Sequence, residues 1–267
     1  MNNAPEFPTK VVRGVTLAQD PVRECCYHVA QTDAEMNEWN DWSDLAKRER
    51  VHRHMNNETG AMEIAAQCLA DFPEAPWELR MQLARQTSDE SRHVRTLLER
   101  LKEMGGHKGE FPVSNFEWSV TMMCDTLAAR LAIQNRTFEA GQMDLLGGLS
   151  KRWRAEGGDD RTADIQEAIL ADEVNHVRFA NQWIKRMTQE DRRLLMKVAM
   201  AIRFLSMVTE KLAPLPGERN LNGLELATGK AAPHVNIEQR READFSEDEI
   251  NEILRQAGFR SIVPASA

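Results

Sequence analysis

Two stretches decide how this chain is to be read: Asp89-Glu90-Ser91-Arg92-His93-Val94-Arg95 and Asp172-Glu173-Val174-Asn175-His176-Val177-Arg178. Each sets a Glu and a His three residues apart within text of helical period, so both side chains leave one face of a helix about 60° apart. Each also has an upstream partner, because Glu58-Thr59-Gly60-Ala61-Met62-Glu63-Ile64 is echoed by Glu139-Ala140-Gly141-Gln142-Met143-Asp144-Leu145. The upstream stretches are offset by 81 residues and the downstream ones by 83. A two-helix unit is therefore written twice. Apolar packing alone requires no matching Glu and His.

Outward from these stretches the helices can be bounded. A first helix runs from Leu45 to about Ala70, stopped by Phe72-Pro73-Glu74-Ala75-Pro76, and a second from Trp77 to about Met104, closed by Gly105-Gly106. A third begins between Asn115 and Met122 and reaches about Arg154, ahead of Gly157-Gly158-Asp159-Asp160. The fourth spans about Thr162 to Met187, and a fifth, capped at Thr188, continues to about Leu212. A capping box at Thr32-Asp33-Ala34-Glu35 opens helical text, and Ser246-Glu247-Asp248-Glu249 caps a final short helix. Residues 1–30, with Pro5, Pro8 and Pro21, read as an extended N-terminal arm. Residues 31–212 form a helical body, and 213–267 a wrapping segment punctuated by Pro214, Pro216, Gly217, Gly223, Gly229 and Pro233. Hydrophobic content carried by Leu, Ala and Met, with few β-branched runs, predicts an all-α fold.

Composition removes several function classes. The formal net charge of −8 offers no general attraction to nucleic acid or to an anionic membrane surface. No apolar run approaches the ~20 residues of a membrane helix, and the N-terminus lacks a basic start followed by an apolar stretch. The expectation is a soluble, cytoplasmic protein. Its four cysteines form neither a disulfide framework nor a zinc-type pairing and are read as reduced thiols.

The two legs from Glu58 and Glu90 to their shared turn are each roughly 14 residues, or ~20 Å, so the two glutamates meet at one height. In the second pair the leg from Glu139 looks about a turn longer than the return to Glu173. Glu58, Glu90, His93, Glu139, Glu173 and His176 thus converge as four carboxylates and two imidazoles. Four buried negative charges need compensation, which two divalent cations would supply. The pattern matches that of di-metal carboxylate bundles, one Glu on each of two helices and Glu-x-x-His on each of two others. Mixed carboxylate and imidazole ligands suit iron or manganese. Carboxylates commonly orient metal-bound histidines from outside, which assigns Asp172 to His93 and Asp89 to His176. Glu63 and Asp144 lie about 140° round from their glutamates and should point away, into packing or surface roles. His54, one turn before Glu58, is an extra ligand, a substrate contact or a polar residue at the bundle mouth.

These residues resemble the ferritin-like di-iron carboxylate superfamily. Within it, Ile169-Leu170-Ala171-Asp172-Glu173-Val174-Asn175-His176-Val177-Arg178-Phe179-Ala180-Asn181-Gln182-Trp183 is similar to the bacterial family labelled domain of unknown function 455. The tail Val235-Asn236-Ile237-Glu238-Gln239-Arg240-Arg241-Glu242-Ala243-Asp244-Phe245 is similar to that family's closing motif, and the likeness covers roughly residues 50–255. The resemblance implies a four-helix bundle with additional C-terminal helices beside the N-terminal arm. It further implies a centre of two iron ions, Fe/Fe favoured over Mn/Fe, in which Glu90 and Glu173 bridge, Glu58 and Glu139 are terminal and each histidine binds one metal. The implied activity is oxidation of a small organic substrate by dioxygen, with electrons from the substrate or a separate reductase; a homodimer is allowed. The alternatives are a ferroxidase or iron-handling protein and a bundle whose metals are structural. Tyr27, the only tyrosine, lies in the arm, which disfavours a radical-storing reductase subunit; the lack of a Cys-x-x-Cys disfavours rubredoxin-type electron delivery.

Overall fold

In the N-terminal arm Arg13 and Gly14 both take positive φ, 47° and 75°. That is the two-residue turn whose twist suits a hairpin, and it joins β1 (Thr9–Val12) to antiparallel β2 (Val15–Ala18). The computed structural model describes residues 6–228 and 234–259. A two-residue strand β3 (Val29–Ala30) then pairs in parallel with β4 (Val113–Ser114), tying the arm to the middle of the chain. The expected helical start at Thr32 is corrected to a single 3-10 turn, Asp33–Glu35. The Thr32 hydroxyl donates to the Glu35 side chain instead of capping a backbone N–H, and Met36 is already extended.

The long helices are α1 (Asp44–Asp71), α2 (Trp77–Glu103), α6 (Asp160–Glu190) and α7 (Arg192–Leu212). Ser43 and Asp159 cap α1 and α6 through side-chain oxygens that accept from Ala46 N and Thr162 N. The cap expected at Thr188 lies three residues too early. That hydroxyl donates back to Ile184 O and Lys185 O inside α6, and Asp191 caps α7. The expected third helix has one break, after α3 (Phe116–Thr121); from there α4 (Leu127–Ile133), a π turn (Gln134–Glu139) and α5 (Ala140–Ala155) run on without leaving helical backbone. Thr126 restarts the helix by accepting from Ala129 N.

Helix direction follows from cross-contacts. Gln82, early in α2, meets Trp183 late in α6, whereas Arg100, late in α2, meets Asp159 and Thr162 at the start of α6. The two helices are therefore antiparallel. Since α1–α2 and α5–α6 are each hairpins, α2 and α5 run the same way, and residues 104–126 must cross back along the body. Gly109 (φ 74°) lets that crossover press against the arm, where a Cβ would lie 2.2 Å from Cys26 O.

The core divides into two bodies along the long helices. One end packs Ile64, Leu79, Leu83, Leu131, Phe179 and Trp183; the other packs Val51, Leu97, Leu101, Trp153, Val177 and Ile250. A third cluster joins the hairpin to α4 and α7 through Val15, Leu17, Ile133 and Val208. Past α7, Asn220 and Asn222 bind Glu38 O, so the wrapping segment leans on residues 36–38; Gly229 and Pro233 lie outside the described residues. Then α8 (Ile237–Glu242) and α9 (Glu247–Gln256) dock on α5 and α6, α9 behind the expected Ser246/Glu249 capping box. All four cysteines are free thiols. Among the described residues no helix is long and apolar enough to cross a membrane.

Candidate metal centre

Midway between the two core bodies the apolar text of α1, α2, the π turn and α6 is interrupted by carboxylates and imidazoles. All six sequence-predicted ligands come together here and all are buried. Ligand atoms of Glu58, Glu90, His93 and Glu173 lie within 4.8 Å of one another, and so do those of Glu90, Glu139, Glu173 and His176. The two sets share Glu90 and Glu173. Both histidines turn Nδ1 toward the carboxylates. His93 Nδ1 lies 2.9 Å from Glu90 Oε2 and 3.2 Å from Glu58 Oε2, and His176 Nδ1 lies 3.2 Å from Glu90 Oε1.

The opposite ring nitrogens face the α2/α6 seam. His93 Nε2 is 3.2 Å from Asp172 Oδ2 and His176 Nε2 is 3.3 Å from Asp89 Oδ2, the crossed pairing that antiparallel helices impose. Arg92 closes this seam by donating to both aspartates, at 3.0 and 2.8 Å. The upstream glutamates are held in parallel fashion. Glu58 is gripped by His54, one turn earlier, at 2.7 Å and by Gln142 of α5. Glu139 accepts from Asn135, one turn earlier, at 2.9 Å and from Gln86 of α2 at 2.5 Å. His54 therefore contacts a predicted ligand rather than joining either ligand set.

The donor set fits divalent metal ions. Glu90 Oε1, both oxygens of Glu173 and His176 Nδ1 are buried without a hydrogen bond, although they face one another. Buried acceptors and an imidazole nitrogen left open in this way cost free energy unless a cation fills the space between them.

The family described as Protein of unknown function (DUF455) matches residues 13–251. The chain belongs to that family. The match begins at the turn residue Arg13 and extends over β2, every predicted ligand and α8, leaving β1 outside it. No curated protein and no solved structure matches the chain significantly.

Electrostatics in this DUF455 site follow from burial and crowding. Burial and the neighbouring Glu90 charge push Glu173 up to about 8. Burial and Glu173 raise Glu139 well above the carboxylate range, and burial with Glu58 raises Glu90. Glu58 goes the other way: burial opposes its ionisation, but hydrogen bonds from His54 and His93 outweigh it. For His93, burial is outweighed by Glu58 and Glu90, which hold it up to about 11.

Sequence reading missed Glu117. This residue of α3 is driven up to about 7 by burial, with the Glu58 and Glu90 charges adding to the effect, and its carboxylate accepts from Gln134 at 3.3 Å. It falls outside the repeat, so no spacing pointed to it. Gln86, Gln142 and Asn135 were also missed, yet each stands a turn from a ligand and could be found by helical spacing. Glu63 and Asp144 point away as expected, Glu63 to Arg23 of the arm at 2.6 Å and Asp144 to Arg240 and Asn236 N.

Proposed function

We propose that this protein is a di-metal carboxylate oxidoreductase, its metals iron, that uses dioxygen to oxidise a small organic molecule. The observation that carries the reading is the pair of buried ligand sets overlapping at Glu90 and Glu173. Glu58 and His93 would complete one position and Glu139 and His176 the other. Four carboxylates and two imidazoles leave positions open to exogenous ligands, unlike a closed structural site. The resemblance to ferritin-like di-iron proteins agrees with this donor set. Such a metal pair, when bound, supplies electrons to dioxygen and polarises what it holds.

The chain's own residues set the conditions. Asp89, Asp172 and Arg92 fix both imidazoles in one orientation, so Nδ1 is the nitrogen offered inward. His54, Gln142, Asn135 and Gln86 hold the terminal carboxylates. The core bodies above and below exclude water. Glu117, whose carboxyl burial raises to about 7, is the residue of α3 proposed to hold a proton next to the ligand cluster. Cytoplasmic residence and supply of electrons by a separate reductase belong to the same proposal.

The test is metal analysis of protein loaded anaerobically with ferrous iron, followed by stopped-flow absorbance on mixing with oxygenated buffer. Two irons per chain and a transient absorbance change are expected. Iron bound without any oxygen reaction would overturn the oxidoreductase reading, and mineral accumulation beyond two irons per chain would replace it with iron handling.

A further inference from the structure

A cavity of about 880 Å³ opens between the arm, the entry to α3 and the end of α7. That volume is in the range of small-molecule sites. Its walls include Ser114, Phe116, Ser206 and Thr209, and two carboxylates, Asp33 and Glu210. No lysine or arginine lines it among the described residues. Neither acidic side chain makes a hydrogen bond or an ion pair with a described residue. Arg13, beside the rim, is committed to Glu218 and to Ala213 O. Asp20, which accepts from the wall residue Gln31, is by contrast paired with Lys10. The two free acids thus give the cavity a negative field that nothing on its walls neutralises.

None of the six predicted ligands lines the cavity, but its inner wall adjoins the segments that carry them. The Phe116 ring packs edge-on against Phe138 at 5.9 Å, and Phe138 directly precedes the ligand Glu139. The Ser114 carbonyl accepts from Asn56 of α1, two residues ahead of Glu58. Glu117, the residue after Phe116, accepts from Gln134 at 3.3 Å, at the start of the π turn that ends at Glu139. We infer that this cavity receives the organic substrate, and that the substrate carries a protonated amine held by Asp33 and Glu210 with its apolar body against Phe116. The assignment as substrate rests on the proposed oxygen-dependent function; the preference for a cationic amine rests on the cavity alone.

Isothermal titration calorimetry at pH 7 on the full, metal-loaded chain would use three probes of one shape: 2-phenylethylamine, 2-phenylethanol and phenylacetate. The amine should bind about tenfold more tightly than the alcohol, and the carboxylate should not bind, because two unpaired acids attract a cation and repel an anion. Asp33→Asn and Glu210→Gln should each weaken amine binding by about tenfold at unchanged metal content. Ser206→Trp, which fills the cavity, should abolish it. Absence of amine binding, equal affinity for alcohol and amine, or amine binding indifferent to all three variants would overturn the inference. Amine binding lost in these variants, in a chain whose iron fails to react with oxygen, would uphold the amine site and remove only its role as substrate site. An oxygen-reactive centre without amine preference would remove the inference and leave the functional reading standing.

Discussion

The two halves of the repeat hold the same ligands in different surroundings. In the first, α1 and α2 are unbroken helices joined by the turn at Phe72–Pro76; in the second, the helix leading to Glu139 is interrupted and widened into a π turn before α5. Glu58 is gripped by a histidine that favours its charge, whereas Glu139 is held by the neutral amides of Asn135 and Gln86. Glu58 consequently sits below the ordinary carboxylate range and Glu139 well above it. Arg92 spans both aspartates from the first half, while its counterpart Asn175 donates back to Ala171 O of its own helix. The lesson is that repetition fixes which residues meet, and the non-repeated neighbours make the two candidate metal positions unequal.

The strongest way to break the comparison is to remove what both positions share. Glu90→Ala or Glu173→Ala should abolish binding of both metals in elemental analysis; two metals per chain retained in both variants would discard the centre as drawn. Removing an unshared ligand should divide the pair: His93→Ala or His176→Ala should leave about one metal per chain. If either of these loses both metals, the positions are interdependent and the halves cannot be treated separately.

Outer contacts should cost less. Asp89→Ala or Asp172→Ala is expected to weaken metal affinity by ~10–100-fold in competition with a chelator. His54→Ala should weaken the position containing Glu58 more than Asn135→Ala weakens the other, because only His54 can add charge. Equal effects would mean that the asymmetry is without consequence for binding.

The metal-free protein should lose stability as pH rises from about 5 to about 8. Glu173, lifted by burial and Glu90 to about 8, and Glu117 and Glu49, lifted by burial to about 7, keep protons in the folded state that the unfolded chain has released. The folded state therefore binds more protons in this window, and unfolding free energy falls with pH by at most ~1.4 kcal/mol per unit for each such group. His93, held up to about 11 against its own burial by Glu58 and Glu90, acts in the same direction above its unfolded pKa. Thermal melts should show this decline, and loading with metal should remove most of it; a melting temperature that climbs across the window would contradict the burial argument. The smallest effect is expected from Glu63→Gln. It breaks the partly exposed pair with Arg23, worth less than ~1 kcal/mol, and should leave metal content unchanged.

Much of this was legible in the chain itself. The helical class, the α1–α2 pair and the crossed Asp–His pairs followed from period, caps and repeat spacing, because those signals are local and helix geometry carries them into space. The break in the third helix was not legible. Apolar text continues from Trp118 through Ile133 without proline or glycine, and only the capping Thr126 marks the restart. The expected caps at Thr32 and Thr188 failed for a related reason. A hydroxyl can bond to a nearby side chain or to the preceding turn as readily as to a helix N–H, and the tertiary surroundings choose.

By itself, then, the sequence determined the six Glu and His residues of the candidate metal centre, the helices that carry them and the aspartates behind the histidines, since each depends on residues three or four apart and on a repeat. Tertiary structure alone decided that α2 and α5 run in the same direction, that the crossover brings Glu117 to Gln134 at the start of the π turn, and that the arm, α3 and the end of α7 enclose an acidic cavity. Those features join residues as distant as Asp33 and Glu210, and no periodicity along a chain reports where such segments meet.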